Sequence, residues 1–410
     1  MEGMTYNKAQ YRYMKCFWIG IFLYGLSLLL DWGLIWLIAG RLSSSWMSLF
    51  NIFVRIPGLF LFFYGTIHLT KIKNQNSVYL WIMMMLLFLW FLFVIGRAPD
   101  FEYRTPFLLL SMFVPVVVFF PLIPLLRTFI DFTNWVNKIF FVIFIVSLPL
   151  FSVSLLAYFQ YFCEVLSVGA AFMFMNNKYF SGLKRTLPLI ITLITVFLVT
   201  YTARRNLMLT FGLYAVVGGF YYVFKTNRDI QRNIIVFLTA GLFCTFGYVY
   251  FMNEQSGTFS RISRRATENT REEVFANFFL DMSSSDWLIG KGLAGTYYCP
   301  GVDEDEVGDF VDDRPYIECG YLQVILKGGL VNVLLYLCIY IPAVFKGFRS
   351  KNTFSKICAV FILIYLVDMI AFGLPVFDMR YFLVWICVSV CFHPTIRFSS
   401  DNEIKQLLNG

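Results

Sequence analysis

The sequence is poor in charge and histidine, and has only one long polar stretch. Of its 410 residues, 14% are charged and 59% are hydrophobic, with a mean hydropathy of +0.69. Soluble domains run at about 25% charged and about 45–50% apolar, and chains beyond ~250–300 residues split their cores. A water-soluble architecture cannot bury this much apolar surface with so few charges, so the excess faces lipid. A cytosolic enzyme, a secreted disulfide scaffold and a disordered chain are all disfavoured.

Metal-ligand spacing is missing too. The two histidines are His68 and His393, and there is no C-x-x-C pair and no H-E-x-x-H. No metal or other cofactor is expected. Most of the nine cysteines lie in apolar runs, Cys387 and Cys391 among them, where they pack as small side chains. Cys299 and Cys319 share the long polar loop and can pair if it faces an oxidising compartment. A cleavable leader is not evident: Lys8, Arg12 and Lys15 precede an apolar run to Ala39. That run exceeds a signal core of ~7–15 residues and has no small-x-small site, so it reads as a retained span. Internal repeats are not evident. The apolar runs do not alternate with polar residues, which excludes a closed β-barrel.

The runs themselves fit transmembrane helices, which need about 20 apolar residues each. They fall near 17–39, 46–69, 78–96, 106–126, 139–159, 187–203, 206–224, 233–252, 320–345, 357–375 and 379–396. A shorter stretch at 161–175 carries Glu164 and is ambiguous. The net charge of +8 is not a sign of nucleic acid, because the basic residues sit mostly in short loops. With twelve spans and the N-terminus inside, nineteen Lys and Arg residues fall in cytoplasmic segments and six in short outer loops. With eleven spans the bias shrinks. Twelve spans with both termini cytoplasmic is the expectation. The fold class is an all-α polytopic membrane protein with one large extracytoplasmic loop. The division is 1–252 (nine spans), 253–319 (loop) and 320–410 (three spans and a cytoplasmic C-terminus).

The loop from Asn253 to Glu318 is 66 residues long and holds 14 of the 25 acidic residues. Loops beyond ~12–15 residues are usually functional or disordered. This one carries Phe275, Phe278, Phe279, Trp287, Tyr297 and Tyr298, enough to fold against the membrane domain. Residues 271–282 read as a short amphipathic helix with Val274, Phe275, Phe278 and Phe279 on one face. Gly290-Lys-Gly-Leu-Ala-Gly295 matches G-x-G-x-x-G but lacks a βαβ setting, so it reads as a flexible turn. The acidic run from Asp303 to Asp313 lacks EF-hand spacing and reads as a solvated loop.

The candidate chemistry lies in arginines and carboxylates. Arg204 and Arg205 sit between two spans on the outer side, where positive charge is disfavoured. A guanidinium fork suits phosphate oxygens, although snorkelling to headgroups is the alternative. Arg261, Arg264, Arg265 and Arg271 follow the ninth span. Together these six can bind a lipid pyrophosphate, or the loop arginines can satisfy the loop's own carboxylates. Glu318, at the mouth of the tenth span, is a candidate general base or an acid stabilised by the helix dipole. Lys327 and Arg55 lie within spans, where charges are costly and face interior cavities. Asp31, Glu164 and Asp368 are candidate counter-ions.

Residues 195–345 resemble the O-antigen polymerase and O-antigen ligase superfamily, especially the polysaccharide repeat-unit polymerases. Three features carry the resemblance: Thr202-Ala-Arg-Arg-Asn206 at the outer end of a span; a loop running from Arg271 through Glu-Glu-Val-Phe-Ala-Asn-Phe-Phe to Trp287-Leu-Ile-Gly-Lys-Gly292; and Tyr316-Ile-Glu-Cys-Gly-Tyr-Leu-Gln leading to Gly328-Gly329. The resemblance implies a GT-C-type glycosyltransferase in the outer leaflet of the bacterial inner membrane, working without metal. It implies that undecaprenyl-pyrophosphate-linked repeat units are joined into O-antigen or capsule-type polysaccharide. Arg204 or Arg205, and Arg271, fall where the family keeps arginines for the donor pyrophosphate. Ligases commonly place a histidine where this chain has Glu318, and this loop has no histidine. Asp312 and Asp313 are rivals for the base. The partners implied are the lipid-linked donor and acceptor, membrane lipid and a chain-length regulator protein, with no nucleic acid. The alternatives are an O-antigen ligase, a flippase for lipid-linked oligosaccharide, and a non-enzymatic sensor.

Overall fold

A computed structural model describes residues 8–29, 44–71, 77–97, 105–147, 167–201, 205–224, 270–304 and 310–409. Described residues are overwhelmingly helical. Among the described residues, five helices are long and apolar enough to cross a membrane, within Ile52–Thr70, Val78–Gly96, Leu183–Thr200, Gly320–Phe348 and Thr353–Ala371. The chain thus has the make-up of an all-α membrane protein.

Helices α1 (Lys8–Leu29) and α2 (Ser44–Thr70) cross in close contact. Gly20 allows it: a Cβ there would lie 2.5 Å from the Phe62 amide nitrogen. Helix α3 (Val78–Gly96) buries Leu80, Met84, Leu87, Phe91 and Val94, alternating steps of four and three that form one stripe. Its other face exposes Ile82, Met85, Leu89 and Leu92. A helix apolar all round is enclosed by protein or by lipid, and the exposed outer face has the composition of a lipid-facing one.

The expected span at 106–126 is broken. Helix α4 (Thr105–Phe113) tightens into a 3-10 turn at Val114–Phe119 and stops, and α5 (Leu122–Ser147) starts afresh. Pro121 is the cause. It disfavours the helical region for the residue before it, and Phe120 is extended at φ −76°, ψ 153°. Pro124 sits in the first turn of α5, where amides lack helical partners anyway. Arg127 and Lys138, expected in a loop, therefore lie on a helix. Of the ambiguous stretch 161–175, residues 167–175 form helix α6, fully buried. The span at 233–252 lies outside the described residues. Helices α7 (Leu183–Tyr201) and α8 (Arg205–Phe224) pack on each other.

The described part of the polar loop holds α9 (Thr270–Asp281), α10 (Ser284–Ile289) and an antiparallel ribbon of β1 (Tyr297–Glu304) and β2 (Phe310–Arg314). Tyr297 pairs with Arg314 and Tyr298 with Asp313. Three long elements follow: α11 (Gly320–Phe348), α12 (Thr353–Ala371) and α13 (Met379–Phe392). Every residue of α13 is buried. Its 14 residues reach about 21 Å at ~1.5 Å per residue, short of a ~30 Å hydrocarbon core, so neighbouring helices rather than lipid surround it. Tyr336 and Tyr340 pack on its Trp385 and Tyr365 on its Tyr381, and the Tyr336 and Tyr381 hydroxyls bond at 2.8 Å.

One end of the bundle collects basic segments. Arg127 bonds the Tyr11 hydroxyl at 3.4 Å, Lys184 pairs with Asp131 at 3.1 Å, and Lys178 pairs with Asp401 at 2.6 Å. Asn352 holds the Ile396 carbonyl at 2.6 Å, fixing the short α14 (Pro394–Phe398) beside α12. The final helix α15 (Asp401–Asn409) buries Ile404 and Leu408. The positive segments at 8–15, 127–138, 178–185, 346–356 and 397–405 therefore share one end, opposite the polar loop.

Candidate functional site

The loop folds because α9 has an inward stripe. Val274, Phe278 and Met282 pack with Tyr297, Cys299 and Ile317, and with Ile325 and Leu326 of α11. The loop core is thus continuous with a membrane helix. Phe279 departs from the expected shared face: it is 53% exposed and stacks on Trp287. Ser283 caps α10 through a reciprocal box with Asp286.

Gly290–Gly295 is a clasp and not a flexible turn. Helix α11 breaks at Gly329, which has φ 69° and ψ −177°. The break frees main-chain carbonyls, which must find partners where water is scarce. The Lys291 amide donates to the Leu326 carbonyl at 2.7 Å, and the Gly292 amide to the Lys327 carbonyl at 3.1 Å. Trp90 Nε1 donates to the Gly328 carbonyl at 2.9 Å. Glycine is needed because the backbones touch: a Cβ on Gly290 would sit 2.5 Å from the Gly328 nitrogen. Lys327 turns back and donates to the Gly295 carbonyl at 2.6 Å. Arg97, at the end of α3, donates to the Ile289 carbonyl at 3.3 Å and to that of Gly290. Lys291 forms an ion pair with Asp281. Lys327 and Arg97 therefore bolt the loop to the bundle.

A second polar cluster sits at the same rim. Asp368, near the end of α12, takes a bond from Arg380 of α13 and one from Thr210 of α8 at 2.8 Å. Arg380 also reaches Asp378 at 3.4 Å, and Asp378 caps α13 by accepting from the Tyr381 amide at 2.7 Å. Asp368 is therefore the partner of Arg380, not the counter-ion of Lys327 or Arg55. Arg380, expected in an outer loop, is buried. Arg55 donates to the Ser27 hydroxyl at 3.3 Å. Asp31 and Glu164 lie outside the described residues. The sequence signal for the cluster was a lone acid and a lone arginine flanking the short 372–378 connection.

Glu318 is half-buried, two residues before α11. Its neighbour Ile317 is fixed on both sides: the side chain is in the loop core, and the amide donates to Gln323 at 2.8 Å. Its other neighbour, Cys319, donates to the Met369 carbonyl at 3.7 Å, one residue from Asp368. The Glu318 segment and the Asp368–Arg380 cluster thus border one rim. Arg205 is the first residue of α8, five residues before Thr210, or about 7 Å along the axis at ~1.5 Å per residue. Arg271 is the second residue of α9, three before Val274, and its helix shares a core with Ile317. Arg204, Arg261, Arg264 and Arg265 lie outside the described residues. Asp312 and Asp313 are exposed on β2. Cys299 and Cys319 are both free thiols. Cys299 is buried and accepts from Asn277 at 3.6 Å, while Cys319 bonds the Met369 carbonyl. Among the described residues no group of His, Cys, Asp and Glu could hold a metal ion.

No protein-family model, curated protein or solved structure matches this chain.

Proposed function

We propose that this chain is a glycosyltransferase of the bacterial inner membrane that polymerises undecaprenyl-pyrophosphate-linked oligosaccharide repeats. What supports the reading is one structural relationship, joined to the resemblance of residues 195–345. The helix that carries Arg271 and the segment that carries Glu318 share a single core, and that core continues into a membrane helix. In this reading the chain has twelve spans and a GT-C-like architecture. The loop is periplasmic, both termini are cytoplasmic, and a chain-length regulator is a partner.

The chemistry follows from the leaving group. A hydroxyl at the non-reducing end of one lipid-linked repeat attacks the anomeric carbon of the growing chain. A new glycosidic C–O bond forms as the C–O bond to pyrophosphate breaks, and inversion follows from a single displacement. Glu318 takes the hydroxyl proton. The lipid pyrophosphate leaves with its charge already stable, and Arg271, Arg204 and Arg205, with Arg261, Arg264 and Arg265, balance it.

The test is extension of a purified lipid-linked repeat by the purified protein with chelator present. Polymer formation supports the proposal. No extension by a folded protein overturns it. Deletion in cells separates the rivals: single repeats on the surface indicate a polymerase, polymer stranded on carrier lipid a ligase, and no glycan outside a flippase.

A further inference from the structure

Where α9 meets α10, their outer side carries an apolar patch. Phe279, Leu280 and Leu288 are 53%, 85% and 56% exposed. Helix α9 therefore carries apolar side chains both inward, at Val274 and Phe278, and outward, at Phe279 and Leu280. Trp287 stacks on Phe279 with ring centroids 5.5 Å apart, joining the outer faces of the two helices. Glu272 and Glu273 are exposed at the start of α9, so its outward apolar residues gather at the end next to α10, and an exposed apolar patch of that kind marks a contact surface.

The level of this patch identifies the cover. Helix α11 is two helices joined at the Gly329 break. The part beyond the break, residues 330–348, is about 28 Å long at ~1.5 Å per residue, close to a hydrocarbon core of about 30 Å. Lys346 marks the last turn at its far end. The break is thus at the boundary between headgroups and acyl chains. The Leu288 carbonyl lies against Gly329, because a Cβ there would come within 2.1 Å of it. Leu330 and Leu334 beyond the break are exposed, as are Leu92 and Phe93 of the neighbouring α3. The patch continues the lipid-facing belt of the bundle upward into the loop.

We propose that α9 and α10 form an interfacial anchor, with Phe279, Leu280 and Leu288 seated in the bilayer leaflet on the side of the loop. Membrane lipid is the occupant. Amphipathic segments of this kind bury their apolar face about 5–10 Å into the headgroup–acyl boundary, and tryptophan is enriched at that depth. The anchor holds the start of α9, and so Arg271, at headgroup level. It stands on the exposed residues and the clasp alone, whether or not the chain polymerises sugars.

The test places the photo-crosslinker p-benzoylphenylalanine at Leu280, at Leu288 and, as a control outside α9 and α10, at Asp312 of β2. All three positions are exposed, so the substitutions leave the core untouched. The protein is held in nanodiscs of dioleoyl phosphatidylethanolamine and phosphatidylglycerol, irradiated and analysed by intact mass. Lipid adducts at positions 280 and 288, and none at 312, are the expected result. Adducts to another part of this chain or to a second copy, or no adduct at either leucine, would overturn the proposal.

Discussion

The Asp368 carboxylate and the Arg380 guanidinium form a buried ion pair that ties the loop-side ends of α12 and α13 together. Thr210 adds α8 to the same knot at 2.8 Å. Removing one partner of a buried pair leaves an uncompensated charge, at a cost of about 3–5 kcal/mol. Asp368→Ala and Arg380→Ala should each lower the thermal midpoint in detergent markedly. Combining Asp368→Leu with Arg380→Met should recover part of the loss, because neither member of the pair is then stranded and only Asp378 loses its contact with Arg380. Equal destabilisation by the double variant would show that the pair acts through specific geometry and not through charge balance.

How much of this was legible in the sequence depends on the range of the interaction involved. The run Val78–Gly96 is bounded by its own composition, and its expected limits are those of α3. The 271–282 helix was visible from local periodicity, apart from Phe279, which turns outward. The break at Pro121 is local too, but a 21-residue apolar window averages over it. The partner of Asp368 was not visible, since nothing in a single sequence selects Arg380 over Lys327. The Gly290–Gly295 clasp was hidden because glycine reads as freedom until a second backbone is seen against it.

Gly329 is where the loop and the bundle depend on each other most. Its φ of 69° disfavours any side chain, and a Cβ would overlap the Leu288 carbonyl. Gly329→Ala should destabilise by more than about 1 kcal/mol and loosen the clasp first. Limited proteolysis between Met282 and Tyr297 should speed up before the bundle itself melts. Cleavage at the native rate would mean that the clasp does not hold the loop.

Asp401 supplies a pH dependence at the other end of the protein. Burial alone would raise its pKa, but bonds from Lys178, Tyr179 and the Thr353 amide outweigh that and hold it below the ordinary carboxylate range. With the folded value depressed, Asp401 contributes stability that is present above the unfolded pKa. That contribution is lost as pH falls through the folded one. Docking of α15 should therefore be insensitive to pH near neutrality and weaken only in acid. Hydrogen exchange of the α15 amides should show this, and Asp401→Asn should weaken docking already at neutral pH. An Asp401→Asn protein with wild-type protection at pH 7 would show that the charge is not what holds the helix.

The catalytic proposal makes its sharpest demand at Glu318 and Arg271. A general base contributes about 10²–10⁴-fold, so Glu318→Gln should lower single-turnover extension by that range while the folded protein and its affinity for the lipid-linked repeat are kept. Asp312→Asn and Asp313→Asn, on the exposed ribbon, should leave the rate near that of the parent. At Arg271 the geometry of the guanidinium fork matters as well as its charge. Arg271→Lys should therefore recover only part of the activity lost in Arg271→Ala, with the loss appearing as shortened surface polymer in complemented cells. Full polymer length from Arg271→Ala, or a parental rate from Glu318→Gln, would remove these residues from the mechanism. A large loss at Asp312 or Asp313 instead would move the base onto the ribbon, on the strand that pairs with Tyr297 and Tyr298.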